Sequence, residues 1–125
     1  MTRILLVDDS EQVRRSIRSV LAELIAGATF REAGDAANAL AEIAREPCDL
    51  VLLDLSLPDR SGFDTLRDIR RQWPALPVVV MSFNPEAEYA AATRAAGAAG
   101  YVAKGSSADA IAAVVSDALA PQRKK

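Results

Sequence analysis

The strongest constraint on the fold of this 125-residue chain is an apolar run, Leu50 to Leu53, that ends at Asp54. The run lacks the polar and apolar alternation of a strand with one solvated face, so it predicts a strand covered on both sides, as in the centre of a parallel sheet. Pro58 follows and prevents the strand from continuing. Asp54 therefore lies at the carboxyl edge of the sheet, where open α/β sheets bind ligands. On this stretch alone, Asp54 is a site residue, a helix cap or a turn former.

Four other short apolar segments alternate with helical patterns, and they predict strands at residues 4–7, 28–33, 77–81 and 100–103. Five strand–helix pairs in strict alternation predict a parallel sheet with helices on both faces. With right-handed crossovers, the most economical topology is a doubly wound (βα)5 flavodoxin-like α/β sandwich of strand order 2-1-3-4-5.

Side chains that cap helices precede most of the helical segments. On the first helix, Arg14, Arg15 and Arg18 lie off the apolar stripe and are predicted to be solvated. Pro121 is predicted to end the last helix, which leaves residues 121–125 as a basic tail or linker remnant. The predicted helix starts are Ser10, Asp35, Asn84 with Pro85, and Ser106 with Asp109.

Composition excludes several kinds of site. The chain has no histidine and a single cysteine, which rules out Ser-His-Asp and Cys-His arrangements and an internal disulfide. Any metal must be a hard cation bound by oxygen. The net charge of -2, with both signs interspersed, gives no reason to expect nucleic-acid or membrane binding. Without a signal peptide or a membrane-length apolar run, the expected location is the cytoplasm.

Charged and polar side chains follow four of the predicted strands. Asp8 and Asp9 follow strand one, and strands one and three are neighbours in the predicted order, so these carboxylates should meet Asp54. Ser82 ends strand four and Lys104 ends strand five. Because converging carboxylates repel one another, the site needs positive charge, most naturally Mg²⁺ (or Mn²⁺) together with Lys104. Such a pocket suits phosphoryl transfer to Asp54 as nucleophile, with Ser82 as a hydrogen-bond donor.

With these residues in this order, and with Pro58, Gly62 and Tyr101, the chain resembles the receiver domain of two-component response regulators over residues 1–120. The resemblance implies that Asp54 accepts a phosphoryl group from a phosphohistidine on a sensor histidine kinase or phosphotransfer protein. It also implies that Asp9, Asp54 and the backbone carbonyl of Ser56 hold the metal ion, with Asp8 acting through water.

The resemblance further implies a switch. Ser82 and Tyr101 would be the switch pair, and the face formed by helix four, strand five and helix five would bind a downstream effector or a second copy of the chain. Ser56, Phe83 and Asn84 would modulate the pocket. A phosphoacceptor of this kind is not an enzyme with an external substrate.

Two departures from the family pattern stand out. Gly105 follows Lys104 where the family often has proline, which resembles receivers attached to helix-turn-helix transcription factors. Phe83 follows Ser82 where a small residue is usual, so its ring either screens the pocket or points away and packs on helix four.

Four alternatives stay open. A truncated receiver of a DNA-binding regulator and a degenerate receiver that binds partners without phosphorylation share the same fold. A phosphatase of the haloacid-dehalogenase type needs a second acid two residues beyond the nucleophile, where this chain has Ser56. A flavin-binding flavodoxin-like protein needs a Ser/Thr/Gly-rich loop after strand one, and Asp8 and Asp9 have the wrong charge for a phosphate.

Overall fold

A computed structural model describes residues 2–83 and 87–123 of the chain. Five strands alternate with five helices along it. The strands are β1 (Thr2–Val7), β2 (Ala28–Ala33), β3 (Leu50–Asp54), β4 (Val78–Ser82) and β5 (Gly100–Ala103). The helices are α1 (Glu11–Leu24), α2 (Ala36–Arg45), α3 (Gly62–Gln72), α4 (Ala87–Ala95) and α5 (Ala108–Arg123).

All four strand pairings are parallel, and the sheet order is β2-β1-β3-β4-β5. The predicted doubly wound fold is therefore confirmed. β1 and β3 run side by side with Val7 opposite Leu53, so Asp8 and Asp54 leave the sheet at the same edge. In β4, Ser82 pairs with Ala103, which brings Lys104 to that edge as well.

The central strand β3 is buried along its whole length, as its unbroken apolar run predicts. Its side chains enter two separate cores. Leu50 and Leu52 pack on the side covered by α1 and α5, whereas Val51 and Leu53 pack on the side covered by α2 and α3. Burial of each of these side chains contributes about 1.5–3 kcal/mol, so Asp54 is carried by a strand anchored on both faces.

Two predicted helix starts are confirmed. The Ser10 hydroxyl accepts a hydrogen bond from the Val13 N–H, and the Asp35 carboxylate accepts one from the Asn38 N–H. The predicted start of the fourth helix, Asn84 with Pro85, lies outside the described residues.

The predicted start and end of the last helix are both wrong. The N–H of Ser106 donates to the Ala103 carbonyl in a turn, so the helix starts one residue later, and Ser107 caps it by accepting from the Ala110 N–H. At the other end, α5 continues past Pro121 to Arg123. A proline in the last turn removes one backbone donor but leaves the earlier hydrogen bonds of the helix intact. None of the described helices is both long enough and apolar enough to cross a membrane.

Candidate functional site

Three carboxylates meet at the carboxyl edge of the sheet. Asp8 and Asp54 are buried and Asp9 is exposed, and one carboxylate oxygen from each lies within 4.8 Å of the other two. Backbone donors orient the two buried groups, because the Ser10 N–H donates to Asp8 Oδ1 at 2.8 Å and the Ser56 N–H donates to Asp54 Oδ1 at 3.0 Å. The acidic cluster expected from the strand order is therefore present.

Lys104 supplies the positive charge of the site. Its Nζ atom lies 2.6 Å from Asp8 Oδ2 and 3.1 Å from Asp54 Oδ2, and only 6% of its side chain is exposed. Burial alone would lower the pKa of Lys104, but the two carboxylates outweigh it and hold that pKa above its ordinary 10.5. The ammonium therefore stays charged at neutral pH and neutralises part of the acidic cluster.

Burial is the main influence on Asp54. It raises the pKa of Asp54 above its ordinary 3.8, against the opposing effects of the Ser56 hydrogen bond and the Lys104 charge. Since the folded protein holds this proton more tightly than the unfolded chain, the contribution of Asp54 to stability is present below the ordinary pKa. It is lost as the pH rises through the raised value. Ionised Asp54 is thus a destabilising group in the metal-free fold.

We therefore expect Asp54→Asn to raise the free energy of unfolding at pH 7 in buffer containing a chelator. The advantage of the variant should shrink as the pH falls toward the ordinary pKa of aspartate, because the wild-type carboxyl group then becomes neutral too. Urea unfolding at several pH values measures the difference. A variant less stable than the wild type at pH 7 would contradict the inference that the ionised, buried Asp54 carboxylate destabilises the fold.

The metal site expected from the sequence fits these groups. Three carboxylates face one ammonium in the described part of the site, so a divalent cation would balance the remaining charge. Asp8 Oδ2 is buried and, beyond its ion pair with Lys104, accepts no hydrogen bond from the described residues. Oxygen ligands from carboxylates are those that Mg²⁺ and Mn²⁺ prefer.

The sequence prediction of a solvated Arg14 is wrong. Its guanidinium donates to the backbone carbonyl of Asp8 and to the Glu32 carboxylate at 2.8 Å, and 16% of its side chain is exposed. Arg14 reaches inward because α1 packs beside β2, which carries Glu32. Arg15 and Arg18 are exposed as predicted. Arg14 thus braces the loop that holds Asp8 and Asp9, a role that the helical pattern could not indicate.

Asp59 is a second residue whose role the sequence did not indicate. Its carboxylate accepts hydrogen bonds from the N–H groups of Ala36 at 2.9 Å and Ala37 at 3.0 Å, at the start of α2. The loop that carries Asp59 runs from β3 to α3 and is also closed by a bridge between Ser56 and Ser61. Asp59 therefore ties the segment after Asp54 to a neighbouring helix.

A cleft of about 460 Å³ opens onto the acidic cluster. Ser82 lies in this cleft, while Tyr101 lies on β5, partly buried against the core under α2 and α3. Phe83 stands at the cleft with its ring centroid 4.9 Å from Lys104 Nζ. Asn84, predicted to modulate the pocket, lies outside the described residues. The cleft is lined by Asp9, Asp54, Leu55, Ser56, Phe63, Ser82, Phe83 and Lys104.

A larger cavity of about 590 Å³ lies at the opposite edge of the sheet, between the ends of α2 and α3. Its lining is largely apolar and includes Ile43, Trp73 and Leu76. Its one thiol, Cys48, has its pKa raised by burial, which disfavours the reactive thiolate. Of these two cavities, the smaller one is therefore the one lined by charged side chains that could bind an ion or take part in a reaction.

The arrangement of the buried Asp54 carboxylate, the acidic pair of Asp8 and Asp9 and a lysine at nearby strand ends agrees with the family suggested by the sequence. The family model of the response regulator receiver domain matches residues 4–116. The chain belongs to this family.

Individual relatives agree with the assignment. The receiver domain is 39% identical over 104 residues to the KDP operon transcriptional regulatory protein KdpE of Escherichia coli K12, covering 83% of this chain and 45% of KdpE. It is 30% identical over 123 residues to the response regulator UvrY of the same organism, covering 98% of this chain and 56% of UvrY. The chain thus spans about half the length of these relatives.

Solved structures show the same fold. A CheY-like response regulator receiver domain protein from Methanospirillum hungatei superimposes with a TM-score of 0.89 at 27% identity, covering 99% of this chain and 98% of that protein. The receiver domain of NtrX from Brucella abortus gives a TM-score of 0.86 at 34% identity, covering 94% of this chain and 98% of that domain.

Proposed function

We propose that this receiver domain is a phosphoacceptor of a two-component phosphorelay. A phosphoryl group passes from a phosphohistidine of a sensor histidine kinase or phosphotransfer protein to Asp54. The P–N bond to the imidazole breaks, and a P–O bond to an Asp54 carboxylate oxygen forms. The observation that carries the proposal is the buried Asp54 carboxylate held between Lys104 at 3.1 Å and the carboxylates of Asp8 and Asp9.

The other residues of the cleft would stabilise the transferred group. Lys104 is placed to neutralise one phosphoryl oxygen and Ser82 to donate a hydrogen bond to another. Asp9, Asp54 and the Ser56 carbonyl would hold Mg²⁺ or Mn²⁺, with Asp8 acting through water, and the bound ion would supply positive charge to the phosphoryl oxygens.

Labelling of the wild-type protein tests this proposal directly. Incubation with acetyl phosphate and Mg²⁺ is expected to add the mass of one phosphoryl group to the intact protein. A chelator is expected to abolish the labelling, because the uncompensated carboxylates would then repel the donor. The adduct should be discharged by hydroxylamine, as an acyl phosphate is. Labelling that survives the chelator, or that resists hydroxylamine, would contradict a metal-dependent aspartyl-phosphate.

Output would follow from a shift between two states. Phosphorylation is expected to draw the Ser82 hydroxyl toward the phosphoryl group and to repack Tyr101, which changes the face formed by α4, β5 and α5. An effector or a second copy of the chain would bind that face. In this proposal the domain acts on no external substrate, binds no nucleic acid directly and works in the cytoplasm.

One observation favours a DNA-binding module as the target that the receiver domain controls. KdpE is named as a transcriptional regulatory protein, and this chain covers 45% of its length. We propose that the receiver domain controls a DNA-binding module, and the reading frame that contains this sequence would test this. The described residues offer nothing that favours the phosphatase or the flavin hypothesis.

A further inference from the structure

Phe83 is an unusual residue for its position. It directly follows Ser82 in the site, and its side chain is 75% exposed. Among the side chains that the structure describes, the only other large hydrophobic residue classed as exposed is Leu24 at the end of α1, at 46%. Most of the ring is therefore not in the packed interior of the protein.

The ring of Phe83 instead faces the site. Its centroid is 4.9 Å from Lys104 Nζ, within the range in which an ammonium is attracted to the face of an aromatic ring. The side chain of Lys104 is itself almost completely buried, and it also forms ion pairs with Asp8 and Asp54. Phe83 therefore lies over the cation that would stabilise the transferred phosphoryl group.

Phe83 and Lys104 also form a wall shared by two cavities. Both line the acidic cleft, and both line a groove of about 310 Å³ between α1 and α5. The rest of that groove is largely apolar and includes Val13, Ile17 and Ile111. The ring is thus positioned at the boundary of the acidic cleft, next to the lysine.

We propose that Phe83 is a specificity-determining residue of the phosphoryl site. Its ring, held in place by attraction to the Lys104 ammonium, closes one side of the cleft and restricts the approach of small phosphodonors and of water to Asp54. The inference rests on the proposed phosphoacceptor function. It deepens that function by assigning Phe83 control over which donors react and how long the phosphoryl group remains.

In two reactions a small molecule must reach Asp54 through the cleft beside the Phe83 ring. In the first, an Asp54 oxygen attacks the phosphorus of acetyl phosphate, the bond from phosphorus to the bridging oxygen breaks, and acetate leaves with the electron pair. In the second, a water oxygen attacks the phosphorus of the aspartyl-phosphate and Asp54 leaves as a carboxylate. The phosphoryl group leaves as inorganic phosphate. The protons of the attacking water stay on the phosphate or pass to the solvent. In both cases the ring narrows the approach to Asp54 while it stays on Lys104, and its removal should speed the reaction.

The test uses a series of substitutions at Phe83. Phe83→Ala and Phe83→Leu both remove the ring, so both are expected to raise the rate constant for labelling by acetyl phosphate roughly two- to fivefold, the factor that an exposed cation–π contact is worth. The rate constant for loss of the phosphoryl group after removal of the donor should rise by a similar factor. Phe83→Trp, which strengthens the contact, should slow both reactions. Leu24→Ala, the matched exposed control, should change neither.

A second measurement reports the contact without phosphorylation. In the wild type, the ring current of Phe83 should shift the proton resonances of the Lys104 side chain upfield, and Phe83→Leu should remove the shift. A leucine variant that reacts at the wild-type rate, or an alanine variant that reacts no faster than the wild type, would overturn the inference. Absence of labelling in the wild type and in all the Phe83 variants would instead overturn the proposed function, and the inference with it.

Discussion

Asp54→Asn is expected to abolish phosphoryl labelling by acetyl phosphate. Asparagine has nearly the shape of aspartate, so β3 and its two cores remain intact, but its neutral amide is a poor nucleophile and cannot form the acyl phosphate. It also removes one of the carboxylates that would hold the metal ion. The mass of the intact variant after incubation with the donor and Mg²⁺ should equal that of the untreated variant.

Asp49→Asn is the matched control for this experiment. Asp49 directly precedes β3, at the opposite edge of the sheet from Asp54, and its carboxylate accepts a hydrogen bond from the Arg3 N–H at 2.8 Å. The control variant should be labelled like the wild type. Because Asp54→Asn is expected to be at least as stable as the wild type in metal-free buffer, unfolding would not explain its loss of labelling. If Asp54→Asn were labelled as fully as the wild type, Asp54 would not be the phosphoacceptor.

The fold and the centre of the site were predictable because they depend on local patterns. An unbroken apolar run requires cover on both faces, and β3 is buried on both as a result. Once strands and helices alternate, the strand order places Asp8 beside Asp54 and brings Lys104 from the far side of β4. Each step uses residues that are neighbours in sequence, together with a rule of topology.

The supporting contacts were not predictable, because they join residues far apart in sequence. Arg14 looks like any solvated helical arginine until Glu32 and the Asp8 carbonyl are placed beside it. Asp59 looks like an ordinary turn residue until the N–H groups at the start of α2, which have no partner within the helix, are brought next to it. Phe83 had two orientations of equal merit, and only the position of Lys104 relative to the ring distinguishes them.

Gly62→Ala is expected to destabilise the fold by about 2–3 kcal/mol, in the upper part of the range for overpacked sites. Gly62 is the first residue of α3, and its N–H donates to the Leu55 carbonyl at 3.1 Å. A Cβ atom at this position would lie 2.4 Å from the Leu55 Cα and 2.7 Å from the Leu55 carbonyl oxygen. Both atoms belong to the backbone, so a side-chain rotation cannot relieve the clash. Urea unfolding measures the loss.

The same substitution should weaken the site, since Leu55 lies between Asp54 and Ser56 and must move to admit the extra methyl group. The hydrogen bond from the Ser56 N–H to Asp54 would be lengthened, and labelling at limiting Mg²⁺ should require a higher concentration of the ion. Gly105→Ala is the matched control, because a Cβ there has no atom within 4 Å. If Gly62→Ala were as stable as Gly105→Ala, the close contact between α3 and Leu55 would not be needed to hold the segment that follows Asp54.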